Sequence, residues 1–356
     1  MGKLGLIIVD YDKKYLDYLN KYLLNTYRGK IDITCFSNKE LFLKEVNTIK
    51  NKDVLLINKE MYDERLEGIG ISCVLTIVEG DFNLAEDRGQ RIHKYKDVDR
   101  MYDIILKSYF DINPEKVTAV YSNNNTSTKI ITVYSPIGGT GKSTLATALS
   151  ASLSAKGRDV LYLNLEDVQS TNMYFQSDKK TTLSDFIFEV KDQSTKFTQN
   201  LINMVNRDKN TNVYYLENTE NILDIEDMNE NDIKWMLEKL LESGQYEYII
   251  FDTSSKYNSI YEIILNSSNL VIAPVANSMT SVSKLNLFMS CISDAKKYYF
   301  VCNMYDRTER VIENSVVPIN LMIDEDKTLR TCSGYEAICS TVIKRAVATM
   351  VQELGL

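Results

Sequence analysis

The sequence predicts two α/β domains, each built on a mainly parallel sheet covered by helices. Three observations carry this expectation. Continuous apolar runs of strand length alternate with amphipathic, helix-like runs along most of the chain, the pattern of strands buried on both faces. A polar stretch at 113–128 holds a proline and then Ser-Asn-Asn-Asn-Thr-Ser-Thr, and lacks either periodicity; it reads as a linker. A glycine-rich turn at 135–144 follows an apolar strand and opens a helix. At 356 residues the chain is long enough for two separate cores.

In the first domain, 1–112, the strand-like runs are 4–9, 31–36, 54–57, 72–78 and 91–95. Helix-like runs fall at 13–27, 39–49 and 98–109. Leu16, Leu19, Leu23 and Leu24 are expected to form the apolar face of the first helix, and Met101, Ile104 and Ile105 that of the last. The second domain, 129–356, opens with a strand at 130–134 and a helix at 145–156 that Gly157 closes. Strands follow at 160–165, 248–252, 270–274 and 299–303. Ile233, Leu237, Leu240 and Leu241 mark an amphipathic helix, and 341–354 reads as a final one. The acidic stretch 224–232 reads as a solvated loop and helix start.

Lys and Arg number 41 against 49 Asp and Glu, a net charge of −8, and the excess of acid falls in the second domain. No basic stripe is available to displace counterions, so a nucleic-acid partner is not expected. The six cysteines show no C-x-x-C spacing and are expected as buried free thiols. The single histidine, His93, rules out multi-histidine zinc sites. No apolar run approaches the ~18 residues of a membrane span. The short run 6–9 does not make a secretory signal, and Leu6 stands where myristoylation wants Ser or Thr. A cytoplasmic protein is expected. Lys344 and Arg345 flank an apolar helical face, but two basic residues with Glu353 nearby favour a helix packed on the sheet over more than a peripheral membrane contact.

The run Ser135-Pro136-Ile137-Gly138-Gly139-Thr140-Gly141-Lys142-Ser143-Thr144 is the most informative stretch. Glycines let backbone N–H groups approach a phosphate without a Cβ in the way. Lys142 would supply a point charge to the β- and γ-phosphates, and the Ser143 hydroxyl would ligate Mg²⁺. Proline at 136 breaks the pattern G-x-x-x-x-G-K-[ST], whereas G-G-x-G-K-[ST] matches in full. A nucleoside triphosphate is the expected ligand, held by Gly138 to Thr144.

This loop resembles the deviant Walker A loop of the ParA/MinD ATPases. Three further stretches are similar to that family. Val160 to Glu166 sits where the family has a strand ending in D-x-D. Tyr248 to Thr253 resembles its Walker B strand, whose Asp, here Asp252, holds Mg²⁺ through water. Val301-Cys302-Asn303 resembles the strand whose Asn contacts adenine, which implies ATP; Pro318 and Ile319 are further candidates for the base pocket. The first domain is similar to a (βα)5 response-regulator receiver, with Asp10 and Asp12 as its acidic pair. Asn58 stands where the receiver has its phospho-accepting aspartate, so phosphorylation switching is not expected and a docking role is. A degenerate receiver joined to such an ATPase is the layout of the TadZ/CpaE proteins. That resemblance implies a homodimeric localisation factor for the protein components of a Tad/Flp pilus or secretion machine.

Two departures bear on turnover. The family's lysine before the two glycines, which reaches across a dimer, is Ile137 here, and the D-x-D acids become Asn164 and Glu166. Lost cationic help of this kind costs ~10³–10⁵ in rate in GTPases. ATP binding with slow or absent hydrolysis is therefore expected, with Glu166 and Asn164 as the candidate catalytic positions. The alternatives are a P-loop tyrosine-kinase-like enzyme, though the chain lacks a terminal tyrosine cluster, and a DNA-partitioning ATPase.

Overall fold

The computed structural model describes residues 3–27, 30–50, 52–66, 68–79, 91–95, 98–113, 128–292, 294–308 and 311–356. They form two compact units, each with its own sheet. The expected linker lies outside the described residues apart from its two ends.

In the first unit, β1 (Leu4–Val9), β2 (Ile31–Phe36), β3 (Val54–Asn58), β4 (Cys73–Val78) and β5 (Arg91–His93) are all parallel. Their order is β2-β1-β3-β4-β5, the flavodoxin-like order of a doubly wound sheet. Successive strand residues point to opposite faces, so β1 sends Leu4, Leu6 and Ile8 into one apolar cluster and Ile7 and Val9 into another. Helices α1 (Lys13–Thr26) and α3 (Val98–Ile112) bury Leu16, Leu19, Leu23, Met101 and Ile105 in the first cluster. Helix α2 (Lys39–Glu45) buries Phe42 in the second.

Two expectations for this unit are corrected. Leu24 is 40% exposed, because it is turned about 100° past Leu23 and so leaves the face that Leu16, Leu19 and Leu23 share. After β3 the chain makes two short 3₁₀ turns, Lys59–Met61 and Glu64–Leu66, rather than a helix. Gly68 and Gly70 follow at φ +91° and +77°, and such a short, turned connection cannot nucleate an α-helix. The five-strand order of the (βα)5 pattern is therefore present without the helix after β3. Residues 80–90, between β4 and β5, lie outside the described residues.

The second unit has an eight-stranded sheet in the order β13-β12-β11-β6-β10-β7-β9-β8. Its central strands are β6 (Lys129–Val133), β7 (Val160–Leu165), β10 (Tyr248–Thr253), β11 (Leu270–Ala276) and β12 (Tyr298–Tyr305), with β13 (Leu321–Asp324) on one edge. All these pair in parallel. The sequence did not suggest the other edge, where β8 (Asn206–Arg207) and β9 (Tyr214–Tyr215) pair antiparallel and make the sheet mixed.

Helix α4 (Lys142–Ala155) runs under the centre of one face, burying Leu145, Ala146, Leu149 and Leu153. Helix α5 (Glu230–Ser243) starts at Asn229, whose side chain caps Asn231 and Asp232 N–H groups, as the acidic helix start suggested. Leu241 departs from its expected apolar face and is 43% exposed, for the same reason as Leu24. Helix α6 (Met279–Met289) covers the opposite face through Val282, Leu285 and Phe288. Helix α7 (Thr341–Leu354) packs on the α4 side through Ile343, Ala346, Val347, Met350 and Val351, while Lys344 and Arg345 face out.

Of the six cysteines, all free, only Cys73 and Cys302 are buried. Burial pushes their thiols up to about 11. Cys291 is exposed just past α6, which corrects the expectation of a buried thiol there. Among the described residues no helix is long and apolar enough to cross a membrane.

The packing of α7 yields a contrast that urea denaturation can read. Met350→Ala, which empties a buried site, should lower stability by about 2–5 kcal/mol. The double substitution Lys344→Ala with Arg345→Ala should change it by no more than about 0.5 kcal/mol.

Candidate functional site

The residues expected to bind nucleotide gather where parallel strands end. The Gly138–Thr144 loop follows β6, Glu166 follows β7, Asp252 lies near the end of β10 and Asn303 near the end of β12. This C-terminal edge is where open parallel sheets bind ligands. Pro318 and Ile319 are not brought there. They precede β13, whose Leu321 pairs with Val301, which puts them roughly 13 Å back along the strand direction from Asn303. Ile319 packs against the apolar cluster on the α6 side. They do not line a base pocket with Asn303, and that expectation is corrected.

Within the loop, Ser135 Oγ accepts from the Ile137 N–H at 3.2 Å, and the Thr140 hydroxyl donates to the Ile137 carbonyl at 3.4 Å. Gly138 and Gly139 are exposed, and Gly141 caps α4 at φ +83°. A Cβ on Gly141 would collide with the Asn303 amide, so this position requires glycine for space as well as for φ. Lys142, Ser143 and Thr144 form the first turn of α4, where free N–H groups and the helix dipole favour an anion. Ile137 is 9% exposed and belongs to an apolar cluster with Tyr134, Val271 and Val275. That position serves packing.

The polar groups form one connected set. Lys142 Nζ donates to Ser255 Oγ at 3.2 Å and lies 3.6 Å from Glu166 Oε1. The Ser143 hydroxyl donates to Glu166 Oε2 at 3.0 Å, so one carboxylate bridges both residues. Asn164 Oδ1 accepts from the Glu166 N–H at 2.8 Å, which sets the turn that aims Glu166 inward. Asp252 has no exposed surface; its Oδ2 accepts from the Tyr162 hydroxyl at 2.8 Å. Asp252 Oδ1 and Asn164 Nδ2 are buried with no hydrogen-bond partner of good geometry among the described residues. Burial pushes the Asp252 carboxyl up, and repulsion from Glu166 adds to this against the Ser143 and Tyr162 hydroxyls and Lys142.

Asn303 is held on both sides. Its Nδ2 donates to the Thr140 carbonyl at 2.9 Å and its Oδ1 accepts from the Met304 N–H at 3.0 Å. Met304 takes φ +55° beside a register shift against β13. A bulge of this kind re-aims a side chain, here onto the loop before α4. The sequence reading missed Tyr162, Ser255 and Tyr174, whose hydroxyl pairs with that of Thr144 at 3.0 Å. For Tyr162 a signal existed: it lies two residues before Asn164 on a strand, hence on the same face.

The first unit carries its own polar cluster at the ends of β1, β3 and β5. Asp10 is fully buried, and Asn58 Nδ2 donates to its Oδ2 at 2.9 Å. Lys94, missed in the sequence although it follows β5 as Asp10 follows β1, donates to Asp10 Oδ1 at 3.0 Å and Glu79 Oε1 at 2.7 Å. Asp12 is farther, at 3.9 Å, and caps α1. The Tyr11 and Tyr15 rings lie 4.6 and 5.1 Å from the ammonium. Burial opposes the charged lysine, but its hydrogen bonds with Glu79 and Asp10 outweigh that and hold it above its usual range.

Comparison with known proteins agrees with the second unit's geometry. A family model described as an AAA domain matches residues 128–303. The ParA family ATPase from Chlorobium tepidum superposes with a TM-score of 0.52 at 14% identity, over 63% of this chain and 98% of its own. The septum site-determining protein MinD from Pyrococcus horikoshii, complexed with Mg-ADP, gives 0.52 at 20% identity over 64% and 96%. The ATP complex of Cyanothece McdA gives 0.52 at 15% identity over 65% and 98%. The second unit has the ParA/MinD-type P-loop ATPase fold. No curated protein matches the chain.

In this ParA/MinD-type unit, Asn303→Ala leaves the buried Thr140 carbonyl without its donor. Chemical denaturation should show a loss of about 1–3 kcal/mol. In the first unit, Lys94→Met strands the buried Asp10 charge, and the same measurement should show a loss of about 3–5 kcal/mol.

Proposed function

We propose that the protein is an ATP·Mg²⁺-binding switch that positions or partitions a cellular component. The convergence of the Gly138–Thr144 loop, Lys142, Ser143, Glu166 and Asp252 on one edge of the sheet carries this reading. The donor set fits the ligand. Exposed loop glycines and the start of α4 suit phosphates, and Lys142 would meet their outer oxygens. Hydroxyl and carboxylate oxygens suit Mg²⁺ rather than a softer metal, and the buried Asp252 Oδ1 is available to it. Among the described residues no group of three or more His, Cys, Asp or Glu forms a metal cage. The cation would be held by Ser143, by Asp252 through water and by the phosphates, whose charge it would neutralise. Mg-ADP in the MinD structure and ATP in that of McdA support the nucleotide assignment.

Slow turnover fits the same geometry. Ile137 sits in an apolar cluster, so no ammonium acts from that position. Binding and release then do the signalling: the nucleotide orders the face across which two copies pair, and a partner protein reads it. The finer reading is a homodimeric factor of a Tad/Flp-type pilus or secretion apparatus, peripheral to a membrane at most, with residues 1–112 as a receiver-like docking domain and 129–356 as the ATPase domain. Its support is the flavodoxin-like strand order and the engagement of Asn58 with Asp10. The fold likeness to a ParA family ATPase favours a second reading, DNA partitioning. Salt-sensitive DNA binding that requires ATP would select it.

Light scattering without nucleotide, with ADP·Mg²⁺ and with ATP·Mg²⁺ tests the switch. A dimer that forms or tightens only with ATP is the expected result; equal mass in all three conditions would overturn it. Lys142→Ala should weaken ATP binding by about 10–100-fold in a fluorescence titration, the worth of a charge-assisted contact.

A further inference from the structure

We infer that Tyr162 is a positioning residue for the nucleotide's divalent cation, acting through Asp252; this rests on the ATP·Mg²⁺ reading above. Tyr162 lies on β7 beside Ile250 of β10, and Asp252 is two residues further on that strand and on the same face. Its hydroxyl therefore reaches Asp252 across neighbouring parallel strands and donates to Oδ2 at 2.8 Å. Both residues are completely buried. A phenol taken out of water without a partner is costly, and Asp252 is the partner that Tyr162 has here.

The ring is also fixed. Phe175 packs on it edge-on, with centroids 5.3 Å apart at 69°, and Tyr215 packs on Phe175 at 5.2 Å. A rigid donor on one carboxylate oxygen selects one orientation of the group. It leaves Oδ1 as the oxygen without a hydrogen-bond partner among the described residues. A donor that carries no charge does this without cancelling the negative charge that attracts a cation. Lysine in the same place would cancel it, as Lys94 does for Asp10. Groups that hold a metal-binding carboxylate in place tune affinity without touching the metal.

The experiment is a Mg²⁺ titration of nucleotide affinity on the full chain, using a fluorescent N-methylanthraniloyl ATP, with thermal unfolding as the control for folding. Tyr162→Phe should bind the nucleotide in EDTA as the wild type does. It should need about tenfold more Mg²⁺ for half of the tightening that the cation provides, the scale of one hydrogen bond to a charged group. A purely structural role would lower the melting temperature and leave that midpoint unchanged, which would overturn the assignment. Phe175→Leu keeps the phenol but loosens its ring, and should shift the midpoint in the same direction by less. An unchanged midpoint in Phe175→Leu counts against the assignment even if Tyr162→Phe fails to fold. A wild type that binds no nucleotide overturns the functional reading itself, whereas one that binds without response to Mg²⁺ overturns the role of Tyr162 together with the Mg²⁺ part of that reading and leaves nucleotide binding standing.

Discussion

A carboxylate with no exposed surface, Asp252, sits at the end of a central strand, and the arrangement around it depends on how that charge is accommodated. Burying an ion without compensation costs several kcal/mol. Here the compensation is partial: the Tyr162 phenol donates to it, and the Ser143 hydroxyl and Lys142 lie near. The parallel sheet makes this possible by bringing the ends of β6, β7, β10 and β12 to one edge. The connected set of Lys142, Ser143, Glu166 and Asn164 then follows from the turns that leave those strands.

The first unit solves the same problem differently. Asp10 is equally buried at a strand end, but it receives a lysine ammonium and an amide N–H. Lys94 is shared with Glu79, and aromatic rings stand within about 6 Å. That cluster is closed by its own cation. The pocket in the second unit has a neutral donor on Asp252 and leaves one oxygen without a hydrogen-bond partner of good geometry among the described residues. The contrast in chemistry, rather than any difference of fold class, separates a carboxylate closed off by its own cation from a site suited to a phosphate and a cation.

Much of this was legible because residue identity alone carried it. Glycines, Lys142 and Ser143 at fixed spacing after an apolar strand have few other uses, and the parallel strands announced themselves as continuous apolar runs. Strand β2 and helix α7 were found with their observed bounds. What stayed hidden depended on partners distant in sequence. Tyr162 lies 90 residues from Asp252 and Lys94 lies 84 from Asp10, so neither pairing leaves a local pattern. Asn303 was found by resemblance, but its contact with Thr140 is a property of the folded sheet. Pro318 and Ile319 failed because proximity along the chain to β12 says nothing about which end of a neighbouring parallel strand they occupy. Leu24 and Leu241 failed because one residue of helical rotation separates the apolar face from solvent.

Ile137 bears on both the packing of the loop and the charge available at it. Its side chain belongs to the cluster formed by Tyr134, Val271, Val275 and Phe300, so its size and shape contribute to the packing beneath the loop. A lysine there would have to abandon that contact or carry its charge into it, and either costs stability. The loop is thus braced from below by apolar packing and from the side by the Asn303 amide. A braced loop binds phosphate without first having to order itself, which favours affinity. Catalysis asks for charge that appears in the transition state, and at this position the chain has placed a hydrocarbon. Packing beneath the loop and a cation at its start compete for this one position, and the chain has taken the packing.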